Sequence, residues 1–304
     1  MDIKEAILKT VCFFDSLNFP LTLREINFYL WQNAASLEET RKNLRKMIGK
    51  ELSRKGEYYF LKGQEDLVKT RRGREKISKK KWKKAKRIIN LLRVIPFIKG
   101  VAVTQNLALK NCKESSDADL LIITSPGKIW ITRAFVNLIL DIFRKRNPKN
   151  KNRICPSFFI TSNNLNIKDI ALKPLDIYLV YWIKSLKPVF GSHFFYEFDA
   201  YNFWAYKSLP NAEPDFKNQL VFNPIFRILQ KFLEILIWPF SKKLENFLKT
   251  KQLKIIDKNK NKLSKSPSIV TTERMIKIHY EDKRKFYLNE WQKKTETLKE
   301  KIKI

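Results

Sequence analysis

Residues 101–124 have the sequence VAVTQNLALKNCKESSDADLLIIT, in which two apolar runs flank a polar segment. The pattern predicts a strand over residues 97–104, a short helix at 107–111, and a second strand entered through Asp117 and Asp119. Because side chains alternate along a strand, both carboxylates are expected on one face of the sheet, about 6.5–7 Å apart.

Two carboxylates at this spacing are suited to Mg²⁺, which prefers oxygen ligands and keeps positions open for phosphate. Metal ions held there would bridge the phosphates of a nucleoside triphosphate and neutralise the developing charge. Ser116 adds a small polar group at the strand entrance. The competing interpretation is that the acidic pair is only the polar end of a loop.

The sequence after this stretch continues an α/β pattern. GKIWITRAFVNLILDIF, residues 127–143, predicts an apolar crossover helix, and RICPSFFIT, residues 153–161, predicts a third strand. Strand, helix and strand at this spacing predict a small mixed sheet packed against helices. The predicted fold class is α+β, with this core occupying residues 97–165.

Residues 1–69 predict three short helices followed by a hairpin around Gly56, which is the order of a winged helix-turn-helix module. Capping boxes beginning at Thr22 and Ser36 mark the starts of the second and third helices. The third helix carries four basic residues that are candidates for contacts with nucleic acid: Arg41, Lys42, Arg45 and Lys46. The alternative is a solvated basic face on a module used for protein packing.

The remaining segments are assigned as a basic connecting helix at 70–96, a helical region at 166–250, and a linker with a C-terminal helical tail at 251–304. Residues 254–267 are polar and lysine-rich, which predicts the solvated linker. Residues 225–238 are strongly apolar but too short and too charged to span a membrane. They predict either a helix packed on its own core or a weak interfacial membrane contact.

Composition limits the classes of function. The 304 residues carry 62 Lys and Arg against 30 Asp and Glu, a formal charge of +32, which favours an anionic partner such as nucleic acid. Two histidines and three widely spaced cysteines argue against a zinc site, and no glycine-rich phosphate loop is present. The cysteine usage and the N-terminal sequence predict a cytoplasmic protein.

The stretch VAVTQNLALKNCKESSDADLLIIT resembles the core motif of the DNA polymerase β-type nucleotidyltransferase superfamily. That motif is an apolar strand, Gly-Ser, a short helix, and then two acids separated by one residue at the start of the next strand. The resemblance extends to a bacterial group of nucleotidyltransferase-domain proteins with an upstream winged-helix-like module. It implies that Asp117 and Asp119 bind Mg²⁺ and that Gln105, Asn106 and Ser116 contact the nucleotide.

Two departures from the superfamily pattern bear on activity. Gln105 and Asn106 occupy the Gly-Ser positions, and Gln restricts the positive φ that Gly allows. The strand ICPSFFI has no third carboxylate. The resemblance therefore implies either Mg²⁺-dependent transfer of a nucleotidyl group from a nucleoside triphosphate to a hydroxyl, or a non-catalytic nucleotide-binding or scaffold protein. A winged-helix DNA-binding regulator is the remaining alternative.

Overall fold

A computed structural model describes residues 1–143, 145–146, 153–221, 223–263 and 268–302 of an α+β protein. In the N-terminal part the elements are α1 (Ile3–Ser16), β1 (Leu21–Thr22), α2 (Leu23–Phe28), α3 (Leu37–Met47), β2 (Leu52–Lys55), β3 (Tyr58–Leu61) and α4 (Leu67–Leu92). The following elements are β4 (Ile98–Val103), α5 (Gln105–Ala108), β5 (Ala118–Thr124), α6 (Ile129–Ile142), β6 (Ile154–Thr161), α7 (Ile177–Ser185) and β7 (Lys187–Phe190). The last elements are α8 (Ser192–Tyr201), α9 (Phe203–Tyr206), α10 (Pro224–Ile237), α11 (Ser241–Leu263), β8 (Ser268–Thr271), β9 (Met275–His279) and α12 (Arg284–Ile302).

Local sequence signals in the N-terminal part act as predicted. Both capping boxes form. The Thr22 and Ser36 hydroxyls accept hydrogen bonds from the backbone amides three residues on, and the Glu25 and Glu39 carboxylates accept from the amides of Thr22 and Ser36. The hairpin turns at Gly56, whose φ is 64°. Strands β1, β3 and β2 make a three-stranded antiparallel sheet in that order.

The central sheet has six strands in the order β7-β4-β5-β6-β9-β8. Strands β5 and β6 are parallel, and every other pair is antiparallel. The predicted strands at 97–104 and 153–161 and the helix at 127–143 are confirmed as β4, β6 and α6. A parallel pair needs a crossover between its strands, and the apolar helix α6 supplies it.

Several sequence predictions were wrong about element type. The third N-terminal helix, which the sequence predicts to continue to about Leu52, ends at Met47 and is followed by a turn and the start of β2. The helical region contains the short strand β7, which pairs with β4. The predicted linker is helical to the end of α11, and residues 264–267 lie outside the described part of the chain. After it, β8 and β9 add two strands to the sheet. Strands of four or five residues depend on tertiary pairing and carry little local pattern.

Hydrophobic side chains pack on both faces of the central sheet. One face packs with α1, α7 and α12, and the other with α4, α6 and α11. The N-terminal helices belong to the first core: the Tyr181 hydroxyl donates to Tyr29 O at 3.3 Å, and Trp291 Nε1 donates to Lys9 O at 2.9 Å. The N-terminal part is therefore anchored to the helices around the sheet.

Two features of the basic segments concern packing. Trp82 of α4 packs against the second core, and Lys81 Nζ donates to Glu114 O and Ser116 O at 2.8 and 3.0 Å.

Among the described residues, no helix combines the length and apolar character needed to cross a bilayer.

Candidate functional site

The turn after β4 places Gln105 and Asn106 at the start of α5. Gln105 has a φ of 54°, in the left-handed region that favours glycine. The turn therefore has, at a Gln, a backbone conformation that glycine adopts at lower cost. Strain of this kind persists only where the surrounding structure imposes it, and such positions cluster at ligand sites.

Asp117, immediately before β5, forms a bidentate ion pair with Arg153. Arg153 Nε lies 2.8 Å from Oδ1, and Nη2 lies 2.6 Å from Oδ2. The pair forms because β5 and β6 are parallel neighbours, so residues that precede the two strands lie side by side. The Ala118 amide donates to Arg153 O at 2.9 Å and fixes this register. Both oxygens of Asp117 are therefore engaged by one guanidinium.

Asp119 lies on the same strand, opposite Cys155 of β6. Burial raises the pKa of the Asp119 carboxyl to about 7, and the charge of Asp117 adds to this effect. Near neutral pH a substantial fraction of this carboxyl is protonated. The two aspartates thus differ: Asp117 is paired with Arg153, and Asp119 is partly neutral.

At this strand entrance the Asp117 oxygens are not free to coordinate Mg²⁺. The ion needs near-octahedral oxygen coordination, and the Asp117 oxygens already accept hydrogen bonds from Arg153. Within the described ranges, no three His, Cys, Asp or Glu side chains cluster in a way suited to a metal ion. Neither Asp117 nor Asp119 lines the cavity next to the Gln105 turn.

That cavity has a volume of about 330 Å³ and lies on the face of the sheet that carries the first core. Gln105 and Asn106 form one side. Aromatic and apolar side chains form a second wall: Phe13, Phe14, Leu17, Leu109, Phe158, Tyr178, Tyr181, Trp182 and Tyr287. The third wall is polar and comes from the end of β9 and the start of α12: Lys277, His279, Glu281, Asp282, Lys283 and Arg284.

Strand pairing brings Lys277 of the polar wall to the same sheet face as Asp119. Phe158 of β6 pairs with Leu121 on one side and with Lys277 on the other. Asp119 precedes Leu121 by two residues and therefore faces the same way. The electrostatic influence of Asp119 on Tyr178, whose pKa is raised chiefly by burial, is consistent with this arrangement.

Arg284 organises the polar wall. Its Nη1 lies 2.7 Å from Asp176 Oδ2, and its Nε and Nη2 lie 2.9 and 2.8 Å from Asp282 Oδ2. Burial alone would raise the pKa of Asp282, but the hydrogen bonds from Arg284 hold it well below its usual range. This buried network fixes the start of α12 against the sheet.

Lys277 and His279 are the two basic residues of β9 that line the cavity. Lys277 is 3% exposed, and its Nζ donates to the Ser268 hydroxyl and lies 3.7 Å from Asp282 Oδ2. Burial lowers the pKa of Lys277 to about 8, and Arg284 adds to this effect. Burial likewise lowers the pKa of His279 to about 4, helped by the charge of Lys277. His279 is therefore neutral at pH 7, and its buried Nε2 has no hydrogen-bond partner among the residues that the structure describes.

The sequence-predicted residues are only partly brought together. Gln105 and Asn106 line the cavity, whereas Ser116 does not: its hydroxyl accepts from the Lys113 amide at 2.9 Å, and it borders a small groove beside Lys81. Sequence reasoning missed the β9 and α12 residues, which follow Asp119 by more than 150 positions. The sequence does contain a signal for Arg153: this arginine directly precedes β6, just as Asp117 directly precedes β5.

The basic residues of α3 are not part of this cavity lining. Lys42, Arg45 and Lys46 are exposed, while Arg41 pairs with Glu38 at 2.9 Å. In the hairpin, the exposed Arg54 donates to Gly56 O at 2.8 Å.

Comparisons of this chain with models of protein families, with curated proteins and with solved structures found no significant match.

Proposed function

We propose that the chain is a protein of nucleotidyltransferase-like fold that binds a nucleoside monophosphate in the 330 Å³ cavity and does not catalyse metal-dependent transfer. The observation that carries this proposal is the cavity itself, which joins the Gln105 turn to an aromatic wall and a basic strand. The proposal retains the nucleotide predicted from the sequence and omits the metal step, because Arg153 engages Asp117.

Cavity size supports a ligand of this class. Ligand pockets in proteins are typically about 300–1,000 Å³, so this cavity is at the small end of the range. A planar base would lie against the aromatic wall, where Tyr178 and Tyr287 stack with ring centroids 5.2 Å apart. The unpartnered Nε2 of neutral His279 offers an acceptor or a donor to a base edge or a ribose hydroxyl.

The charges in the wall support one phosphate rather than three. Lys277, Lys283 and Arg284 are opposed by Glu281 and Asp282. Arg284 is already committed to two carboxylates. Lys277 and Lys283 each lie near a single carboxylate, at 3.7 Å from Asp282 and 3.3 Å from Glu281, and an ammonium group has three donors, so both keep a donor for a phosphate. Neutral His279 adds no charge at pH 7. A triphosphate without a metal ion would place more negative charge here than these two ammonium groups offset.

The fold supports the proposed class. A strand, a turn with positive φ, a short helix and a second strand occur in the order that the resemblance implies, within a mixed sheet packed on helices. The N-terminal helices and the three-stranded sheet follow the order of a winged-helix module. We therefore propose a winged-helix-like architecture for the N-terminal part.

Calorimetric titration with AMP, GMP, CMP and UMP tests the proposal. We expect at least one to bind with a dissociation constant below about 1 mM, and Lys277→Met to weaken it by about tenfold through loss of the phosphate contact. Lys187→Met is the matched control, since Lys187 is also a largely buried lysine paired with a carboxylate, Asp215, away from this cavity. Failure of all four nucleotides to bind, or equal loss in both variants, would refute the proposal.

Exposed basic residues on α3 support a second candidate function, binding of duplex DNA. Lys42, Arg45 and Lys46 project from one helix without an ion pair among the described residues, and the chain as a whole is strongly basic. Affinity for a mixed-sequence duplex should fall steeply with salt and drop for Arg45→Ala. Binding that is absent, or indifferent to salt, would remove this candidate.

A further inference from the structure

Helix α10 has its apolar face towards solvent. Six large side chains of this helix are 46–72% exposed: Ile225, Ile228, Leu229, Phe232, Ile235 and Leu236. Trp238 and Phe240, which follow directly, are 65% and 68% exposed. The largest apolar patch of a typical monomer is about 300–600 Å² and often marks an interaction site. Eight large apolar side chains on one short segment form an unusually extensive patch.

Hydrogen bonds from the polar face fix this orientation. Glu234 Oε1 accepts from the Phe97 amide at 2.9 Å, and Gln230 Nε2 donates to Ile95 O and Ile98 O at 3.0 and 2.8 Å. Phe97 has a φ of 65°, so this segment before β4 leaves backbone groups that need partners. Turning α10 to bury its apolar face would break all three bonds.

The segment that carries the patch is basic. Between residues 223 and 243 the only acid is Glu234, which is buried on the inner face, whereas Arg227, Lys231, Lys242 and Lys243 are exposed. Lys128 adds a further cation, with its Nζ 5.2 Å from the centre of the Trp238 ring. An apolar stripe with aromatic residues at one end and a basic border is typical of helices that lie in a membrane interface.

We propose that α10 docks on the surface of an anionic lipid bilayer, with its apolar stripe among the acyl chains and its basic border against the headgroups. The helix has 14 residues and is about 21 Å long, shorter than the roughly 30 Å hydrocarbon core, so it lies in the interface. This inference is independent of the proposed nucleotide site.

Charge favours a bilayer over a second copy of the chain. Two copies packed through α10 would bring together two sets of basic side chains with no exposed acid between residues 223 and 243 to offset them. Anionic lipids supply that compensation, at about 1 kcal/mol for each Lys or Arg near the surface.

Flotation of the full chain with phosphatidylcholine–phosphatidylglycerol vesicles tests this proposal. The protein should float with these vesicles and much less with phosphatidylcholine alone. Ile228→Ser/Phe232→Ser should lower the partition coefficient by at least about tenfold, because both side chains are exposed and leave the bilayer contact when truncated. Tyr201→Ser/Phe286→Ser, at equally exposed aromatic positions on other helices, is the matched control and should float like the wild type.

Circular dichroism establishes that each variant folds, as expected for exposed positions. The proposal is overturned if the wild type stays below the vesicles, or if both double variants float equally well. It is also overturned if the wild type is a dimer that Ile228→Ser/Phe232→Ser dissociates while neither protein binds vesicles, since the stripe would then join two copies.

Discussion

Arg153 binds both carboxylate oxygens of Asp117, with N–O distances of 2.8 and 2.6 Å. The carboxylate that the sequence assigns to a metal ion is thereby satisfied by a side chain of the neighbouring parallel strand. A bidentate guanidinium–carboxylate pair has fixed geometry and competes directly with a cation for the same oxygens. The negative charge of Asp117 at the strand entrance is thus balanced by the Arg153 guanidinium.

Removal of this guanidinium should create metal affinity. In a Mn²⁺ titration followed by electron paramagnetic resonance, the wild type should show no site tighter than about 1 mM, and Arg153→Met should gain one, because two carboxylates are then unpaired. Arg146→Met is the control: Arg146 also pairs with an aspartate, Asp141, but not at the strand entrance. Equal Mn²⁺ binding by the wild type and Arg153→Met would contradict this interpretation of the ion pair.

The buried Arg284 network should contribute strongly to stability. Arg284→Met leaves Asp176 and Asp282 without their shared cation and should lower the free energy of unfolding by about 3–5 kcal/mol. Urea denaturation measures the change. Lys283→Met, which removes an exposed partner of Glu281, should change stability by less than about 1 kcal/mol. Similar effects of the two substitutions would contradict the assignment of a buried network.

Gln105 should be strained in the native turn. With its φ at 54°, Gln105→Gly relieves a cost of about 1–2 kcal/mol, partly offset by the entropy that glycine adds to the unfolded chain, so stability should rise by about 0.5–1 kcal/mol. Gln292→Gly, at an exposed position within α12, should instead lower it by about 1 kcal/mol. Equal destabilisation in thermal unfolding would mean that the turn is unstrained.

His279 should make the fold sensitive to mild acid. Its pKa is lowered to about 4 in the folded state, near Lys277, Asp282 and Arg284, and is near 6.5 in the unfolded chain. Between these values the unfolded chain binds the extra proton, so stability is complete above pH 6.5 and is lost as pH falls towards 4. As the pH falls from 7 to 5, the free energy of unfolding of His279→Gln should therefore rise by about 2 kcal/mol relative to that of the wild type. A pH-independent difference in urea denaturation would contradict the buried neutral state.

The sequence predicts those elements whose pattern is local. Capping residues such as Thr22 and Ser36 determine helix starts through bonds within four residues. The short apolar run after Asp119 is typical of a buried strand and can be recognised without its partner strand. The order of β4, a turn and β5 follows from the same runs, whereas the significance of Gln105 is implied only by the resemblance to the nucleotidyltransferase motif.

The rest depends on pairing between distant segments. Strand β9 joins β6 although more than 100 residues separate them, and only this pairing brings Lys277 and His279 to the cavity. The orientation of α10 is also non-local. Its amphipathic pattern alone predicts that the apolar face is buried. In the structure the polar face is turned inward instead, because Glu234 and Gln230 bond to backbone groups near Phe97.

Titration of the wild type with its best-binding nucleoside monophosphate, in EDTA and then in excess Mg²⁺, tests the central claim most directly. A cavity that relies on Lys277 and the aromatic wall should give the same dissociation constant, within about twofold, in both buffers. Incubation with labelled nucleoside triphosphates and Mg²⁺ should give no transferred label. Binding that requires Mg²⁺, or label transfer that Asp119→Ala abolishes, would contradict the account.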